Sequence, residues 1–482
     1  MKFLLLCAVG AASVFAAHSA PPSWPAFRGS NSSGVSADAK PPVNIGPTNN
    51  VAWKTEVPWS PSSPCIWDDH IFLTTYAEKE LQTRCYQRED GKLLWSRGLR
   101  PDKLEMYHGT ESSPAASTPS TDGERVVSYF GSFGLICYDR KGTEQWRYPL
   151  PVAISLGSYG TATSPLIGSN LVVVALDREE DSSLLAVDLH TGKKAWETPR
   201  PDSYGSFGTP ITWKNADVDE VVVPGSLRLK GYALKSGQED WMVEGVTGFA
   251  CTTPVAGEGL LYFAAWTDGK ADDPWPSWDQ FLEKHDKNKD GVITLDEFDD
   301  ASRDYYRGLD LNHDGKIDKG DYDKLLASLA KGENVMLALK PGGRGNISKT
   351  HIAWKATRGL PYIASPLLYD GRIYCVKNGG MLSSWDAKSG NPYYLQERLN
   401  ADGYYYSSPV AADGRIYLAS LNGKFTVVKA GGDKPEILHQ SLFGERIYAS
   451  PALAGDKFYL RTRSALYAFG ESSVKNKAAS VP

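Results

Sequence analysis

Asp286, Asn288, Asp290, Gly291 and Glu297 occupy the first, third, fifth, sixth and twelfth places of one short stretch of this chain. That order of oxygen-bearing residues around a glycine is chemistry for a hard divalent cation. Ca2+ collects about six to eight oxygen ligands, and a tight coil offers them from alternate positions. Asp286, Asn288 and Asp290 supply side-chain oxygens and Gly291 allows the sharp turn. Val292 offers its carbonyl, Thr294 takes the water-bridged place, and Glu297 closes the shell with both carboxylate oxygens. A second loop follows with Asp310, Asn312, Asp314, the carbonyl of Lys316, and Asp318. It ends on Asp321 where the pattern favours Glu. The shorter side chain is expected to bind with one oxygen and to make this site more tolerant of Mg2+. Two Ca2+ sites are therefore expected, with Ile293 and Ile317 pairing the loops and His313 at a non-ligand place.

Such loops need helices to hold them. Trp278, Phe281 and Leu282 precede the first loop, and Phe298, Tyr305 and Leu309 lie between the two. Tyr322, Leu325, Leu326 and Leu329 follow at helical spacing. The expectation is a helix–loop–helix pair of EF-hand type over 268–333, although Gly320 weakens the start of the last helix. This segment carries 18 acidic and 10 basic residues, a net of −8, against −5 for the whole chain, so the remainder is +3. A structural clamp fits better than a sensor, because calcium outside cells is nearly constant.

The body around this acidic segment is repetitive. A Ser-Pro or Thr-Pro dipeptide recurs at Pro64, Pro119, Pro165, Pro210, Pro254, Pro366, Pro409 and Pro451, with spacings of 55, 46, 45, 44, 112, 43 and 42 residues. A turn and a tryptophan follow in step: Asp90-Gly91 to Trp95, Gly142 to Trp146, Thr191-Gly192 to Trp196, and Ser236-Gly237 to Trp241. The unit is clearest after Pro409, where four short strands alternate with Asp413-Gly414 and Asn422-Gly423 turns. Four antiparallel strands in about 43 residues is a propeller blade. The unit after Pro451 has room for three strands, and Asn50–Lys54 reads as its missing fourth. The fold expected is all-β: eight four-stranded blades closed by an N-terminal strand, with the α-helical pair inserted between the second and third strands of blade five. The domains follow: 21–267 for blade one to the first part of blade five, 268–333 for the insertion, 334–470 for the remaining blades, and 471–482 as a disordered tail.

The turn-plus-Trp units, such as Leu185-Ala186-Val187-Asp188 to Trp196, and the opening Trp24-Pro25-Ala26-Phe27-Arg28-Gly29 resemble the PQQ-like, quinoprotein-type eight-bladed propellers over roughly residues 24–470. The resemblance implies the fold. It leaves activity open, since that family includes calcium-dependent alcohol dehydrogenases and scaffolds such as the outer-membrane β-barrel assembly propeller. A dehydrogenase of the family would hold its quinone against two adjacent cysteines, and this chain has no Cys-Cys pair. PQQ is therefore not expected as a cofactor.

The first twenty residues, one lysine and an apolar run ending in small residues, read as a secretory signal peptide. This places the mature protein in the periplasm or outside the cell. No later segment is apolar enough to span a membrane, and the balanced charge gives no reason to expect nucleic acid. Cys65, Cys85, Cys137, Cys251 and Cys375 are odd in number and form no CxxC, so buried free thiols are expected. No catalytic residues are assigned, as no nucleophile or metal-hydrolase motif is present. The links between blades are rich in aromatics, and Tyr107, Tyr159, Tyr204, Tyr362, Tyr405 and Tyr448 are candidates for a ligand site at the channel mouth. The same rings would equally serve as wedges between blades. The reading is a monomeric calcium-binding scaffold for a protein or carbohydrate ligand. The alternatives are a quinone-dependent oxidoreductase or an enzyme acting on polysaccharide.

Overall fold

Pro64 and its seven counterparts each open an inner strand of a blade. The structure, a computed structural model, describes residues 21–155, 159–178, 181–203, 205–267, 275–299, 309–311 and 314–470. Within it eight antiparallel sheets of four strands follow one another around an axis. Blade one runs Cys65–Trp67, His70–Ala77, Glu80–Gln87 and Leu93–Leu99, from the axis outward. Blade eight takes three strands from Ala452–Ala454, Lys457–Arg461 and Ala465–Phe469, and its fourth from Val51–Glu56. That strand pairs antiparallel with Ala465–Phe469, so closure by an N-terminal strand holds as expected and the ring keeps no open seam.

A closed ring of hydrogen bonds explains the Ser/Thr-Pro repeat. Each hydroxyl before a repeat proline accepts the backbone N–H of its counterpart in the preceding blade. Ser63 N donates to Thr118 Oγ1 (2.9 Å), Thr118 N to Ser164 Oγ (3.0 Å), and Ser164 N to Thr209 Oγ1 (3.2 Å). Thr209 N donates to Thr253 Oγ1 (3.0 Å), Thr253 N to Ser365 Oγ (3.0 Å), and Ser365 N to Ser408 Oγ (2.9 Å). Ser408 N donates to Ser450 Oγ (2.9 Å), and Ser450 N returns to Ser63 Oγ (3.0 Å). All eight residues are buried, so each bond satisfies a backbone donor that has no sheet partner.

The outer rim has its own periodic lock. Trp95 Nε1 donates to Arg140 O (2.9 Å), Trp146 Nε1 to Leu189 O (2.8 Å), and Trp196 Nε1 to Leu234 O (3.1 Å), in each case across to the next blade. Trp53 and Trp354 do the same with Arg88 O and Ala387 O. The turn glycine of that next blade lies flat on the indole. A Cβ on Gly142 would sit 2.7 Å from Trp95, and φ there is +79°. The small residues at Cys85, Ala186 and Gly231 are small because a tryptophan stands opposite: they pair with Trp95, Trp196 and Trp241. In blade six the counterpart pair is Ser384 and Tyr394.

The segment Ser23–Ser36 crosses the axis on the side away from the blade links. Ser23–Trp24 pairs with the inner strand of blade one, and Pro25 O accepts Thr121 N of blade two (2.8 Å). Arg28 Nη2 donates to Pro366 O in blade six (2.8 Å). Asn31 exchanges hydrogen bonds with Thr212 in blade four (2.8 and 2.7 Å). Gly34 O and Ser36 N bracket Ala411 in blade seven. The segment, which carries the Trp24–Gly29 motif, is thus a plug for one end of the channel. Gly29, at φ +76°, is needed because a Cβ would meet the Trp24 ring at 2.8 Å.

Among the described residues the cysteines are all free; Cys65, Cys85, Cys137 and Cys375 are buried and Cys251 is partly buried. Cys65 and Cys85 flank Phe72 from its two neighbouring strands, on one face of the sheet. Among the described residues, no helix is long and apolar enough to cross a membrane. The expected signal peptide and the expected tail lie outside the described residues.

Candidate functional site: the loop pair and the channel mouth

Blade five opens between its second strand, Leu260–Ala265, and its third, Val335–Leu339, which pair directly. The acidic insertion leaves and returns through that gap. Helix α1, Trp278–His285, starts with a capping box in which Ser277 and Gln280 bond each other's backbones. It ends at Asp286, the first residue of the loop. Gly291 sits at φ +86° and Gly315 at φ +85°, the turns each pattern requires. Ile293 and Ile317 face one another in a short antiparallel bridge, which sets the loops back to back. Helix α2 runs Lys319–Lys331 and includes Gly320. Phe281, Ile293, Phe298, Leu309, Ile317, Tyr322 and Leu325 form one buried core beneath them.

The oxygen-bearing side chains of loop one turn inward onto their own backbone. Asp286 Oδ1 accepts Lys289 N (2.6 Å) and Oδ2 accepts Gly291 N (2.9 Å). Asn288 Oδ1 accepts Asp290 N (2.8 Å), and Asp290 Oδ1 accepts Val292 N (3.1 Å). Glu297 reaches back across the loop, Oε1 accepting Lys287 N (2.8 Å) and Oε2 accepting Thr294 N (2.8 Å). Burial acts to raise its pKa, but the amides of Thr294, Asn288 and Lys287 outweigh it and hold the carboxylate below its usual range. In loop two Asp310 accepts Asp314 N (3.1 Å) and Gly315 N (2.9 Å), and Asp314 accepts Lys316 N (2.9 Å). Asp318 Oδ1 accepts Asp321 N (2.9 Å). Asp321 is buried and its Oδ1 has no hydrogen-bond partner. Burial, with the charges of Asp318 and Asp310, raises its pKa. Among the described residues, no three His, Cys, Asp or Glu side chains converge into a metal-ready cluster; these loops place Asn and carbonyl oxygens between the carboxylates. Asn312 and His313 lie outside the described residues.

The insertion meets the propeller at the link from blade four to blade five. Glu333 N donates to Gly245 O (2.8 Å). Asn334 Oδ1 accepts Thr267 N (3.0 Å) and its Nδ2 donates to Thr267 O (2.9 Å), tying the two ends of the insertion together. Phe249, in that link, packs against the insertion's core.

The mouth on this same face is roofed by the long link after blade one. Tyr406 donates to Glu111 Oε2 (2.7 Å) and Tyr448 donates to Thr110 O (2.8 Å), contacts that span the ring. Tyr107 packs over Gly160, where a Cβ would meet it at 2.9 Å. His108 stacks on Tyr159, which meets Phe207 edge-on. Tyr362 meets Trp266 edge-on. Of the six candidate tyrosines, Tyr107, Tyr159 and Tyr362 are partly buried, whereas Tyr405 and Tyr448 are buried. Tyr405 donates to Ala401 O (3.0 Å) within the blade core. Tyr204 lies outside the described residues.

Around candidate Tyr448 the structure gathers three further rings that were not among the six candidates. Trp59, Tyr448, Tyr406 and Tyr404 follow one another with centroids 4.5, 6.0 and 6.2 Å apart. Arg463 covers Trp59 at 5.3 Å, and Tyr404 is 55% exposed. The alternation in Tyr404-Tyr405-Tyr406 was the available signal, since in extended chain the outer two share a face that the middle one leaves.

Residues 77–248 match the family model of the outer membrane protein assembly factor BamB. No curated protein matches the chain by sequence. Among solved structures it is similar to BamB from Moraxella catarrhalis, with TM-score 0.55 and 10% identity over 87% of this chain and 98% of that one. It is similar to a europium-containing methanol dehydrogenase, with TM-score 0.57 and 11% identity over 94% of this chain and 98% of that one. It is also similar to the quinohemoprotein alcohol dehydrogenase of Comamonas testosteroni, with TM-score 0.56 and 10% identity over 93% and 80%. At such identities the likeness is one of fold: the chain is an eight-bladed β-propeller, the fold of these structures.

Proposed function

We propose that this protein is a calcium-binding propeller scaffold of the periplasm or extracellular space, a monomer that presents its channel mouth to a protein or carbohydrate ligand. The observation that carries the reading is the aromatic run from Trp59 to Tyr404, which lines the face where the loop pair joins the body. Aromatic rings with a cation at one end bind apolar and sugar faces alike. In loop one Asp286, Asn288, Asp290, the Val292 carbonyl, Thr294 through water, and Glu297 would hold Ca2+; in loop two Asp310, Asn312, Asp314, the Lys316 carbonyl, Asp318 and Asp321 would do so. The buried, unpartnered Asp321 Oδ1 fits a cation. Bound Ca2+ supplies positive charge that relieves the crowding of carboxylates, a clamping role. Likeness to an assembly factor supports a scaffold. The dehydrogenase likeness reaches the fold alone, and the chain lacks adjacent cysteines.

Calorimetric titration with Ca2+ tests the metal half: two binding events are expected, one lost in Glu297→Gln and the other in Asp321→Asn. Unchanged heats in both variants defeat it. Capture from periplasmic extract by the wild type, lost in Tyr406→Ala and Trp59→Ala, tests the mouth. Quinone-dependent dye reduction by the protein would overturn the scaffold reading in favour of an oxidoreductase.

A further inference from the structure

The two ends of the channel are closed by different means. The plug is tied by backbone pairing: Ser23–Trp24 joins the sheet of blade one, and Val35 bridges Ala411 in blade seven. The mouth is closed instead by the link from blade one to blade two. The first repeat spacing is 55 residues, against 42–46 for the other uninterrupted ones. Residues 100–119 separate the outer strand of blade one from the inner strand of blade two, whereas blade seven makes the same step with residues 443–451. Neighbouring blades do not need the longer path; the chain uses it to cross the mouth.

Two posts hold this link. At the first, Glu105 N donates to Ser132 Oγ (3.0 Å), and Glu105 Oε2 accepts Thr161 N (2.9 Å) and Thr161 Oγ1 (2.7 Å). Glu105 is buried, and Leu104 packs on the core between blades one and two. At the second, Ala115 O accepts Thr74 Oγ1 (2.9 Å), and Ser113 and Ala115 are buried. Between the posts residues 106–112 are exposed or half-buried. They make a turn of their own, in which Glu111 N and Ser112 N both donate to His108 O (3.1 and 2.7 Å). Across the ring two phenols grip this turn, Tyr406 donating to Glu111 Oε2 (2.7 Å) and Tyr448 to Thr110 O (2.8 Å). The rings behind those phenols have supports besides the turn. Tyr448 lies 4.5 Å from Trp59 and accepts Arg446 Nη1 (3.0 Å), and Tyr406 sits between Tyr448 and Tyr404. Exposure along the run follows the cover: Tyr448 under the turn is 5% exposed and Tyr404 at the far end is 55% exposed.

We propose that residues 106–112 are a strap latched by Tyr406 and Tyr448, so that a ligand reaches Tyr406, Tyr448 and Trp59 only when the strap lifts between its fixed posts. The latch is an autoinhibitory contact: Glu111 and Thr110 occupy the hydroxyls that an incoming ligand would take. This role rests on the reading of the aromatic run as the binding surface; the lifting itself is tested without a ligand. Hydrogen exchange is followed across residues 102–117 of the full-length protein. Tetranitromethane, which nitrates accessible phenols, probes the run, and peptide mass spectrometry locates the modified tyrosines. In the wild type Tyr404 should be nitrated and Tyr448 protected. Tyr406→Phe removes one latch and keeps the ring, and Glu111→Ala removes the same latch from the strap's side. Each should raise exchange in residues 106–112 and nitration of Tyr448 roughly tenfold, the effect of one lost charge-assisted hydrogen bond. Both posts should exchange as before. Tyr404→Phe, which keeps both latches, should change neither the exchange nor the nitration of Tyr448. Circular dichroism establishes that the variants are folded. The proposal falls if wild-type Tyr448 is nitrated as fast as Tyr404, or if either readout stays at the wild-type level in the folded latch variants. It falls too if the posts lose protection together with the strap, which marks unfolding of the link. A strap that lifts as expected while no ligand is captured places the failure in the scaffold reading alone.

Discussion

The backbone N–H of Ser450 donates to the hydroxyl of Ser63 across 387 residues of chain, at 3.0 Å. It is the eighth bond of a ring that passes once through every blade. Because the two residues belong to the last and first repeats, this bond and the strand pairing of Val51–Glu56 close the propeller independently, one at the axis and one at the rim.

Ser63→Ala removes one acceptor and leaves the buried Ser450 amide without a partner. Such an orphan donor costs roughly 1–3 kcal/mol. Ser63→Thr keeps the oxygen and should cost less, since Thr already fills this role at Thr118, Thr209 and Thr253. Chemical denaturation of the two variants checks the order; equal loss in both would show that the hydroxyl is not what matters.

Trp95→Phe deletes the 2.9 Å bond to Arg140 O while keeping most of the apolar surface. A loss of about 1–3 kcal/mol is expected from the unpaired carbonyl and the smaller ring. Gly142→Ala attacks the same contact from the other side. Its Cβ would lie 2.7 Å from the ring at a φ of +79°, so clash and backbone strain add, and the loss should be at least as large. Thermal unfolding measures both, and the double variant should lose less than the sum because the two residues share one contact.

Blade number, closing strand and insertion point were all legible, because a propeller repeats short strands and Asp-Gly or Asn-Gly turns at a fixed period. The reason for the Ser/Thr before each proline was hidden. A hydroxyl that accepts an amide some 45 residues away leaves no mark on local pattern. The Ser23–Ser36 plug was hidden for the same reason, as its partners Pro366, Thr212 and Ala411 lie in distant blades. At the mouth, aromatic richness was visible but orientation was not: Tyr405 is buried, while Tyr404 is exposed and Tyr406 half-buried.

Glu105 gives the fold a pH dependence. Its carboxyl is 3% exposed and burial raises its pKa to about 7, against the amide and hydroxyl of Thr161 that act to lower it. A raised folded-state pKa means that folding favours the neutral acid. Stability from this group is therefore fully present below about pH 4.5 and declines as pH rises toward 7, then levels off. At about 1.4 kcal/mol for each pKa unit the whole span is on the order of 3 kcal/mol. Glu105→Gln should flatten that portion of the stability–pH curve and gain most above pH 7. A parallel curve for the variant would assign the slope elsewhere.

The last prediction concerns Phe249, where the proposed calcium module touches the ring. Its side chain packs against the core shared by Phe281, Tyr322 and Leu325, while its backbone belongs to the link between blades four and five. Without a cation, Asp286, Asp290 and Glu297 and, in the second loop, Asp310, Asp314, Asp318 and Asp321 crowd together with neutral amide and hydroxyl donors against their charge, so the helices should loosen. Chelation is then expected to lower the protection of amides in α1 and α2, and to spread to Gly245–Phe249 through the Glu333–Gly245 bond. Blades one and seven, remote from that link, should keep theirs. Hydrogen exchange with and without Ca2+ reads all of these regions in one experiment. Phe249→Ala separates contact from metal: it should confine the change to the insertion while leaving the calcium heats intact. Exchange that changes everywhere, or nowhere beyond the loops in the wild type, would show that the module and the mouth are not mechanically joined.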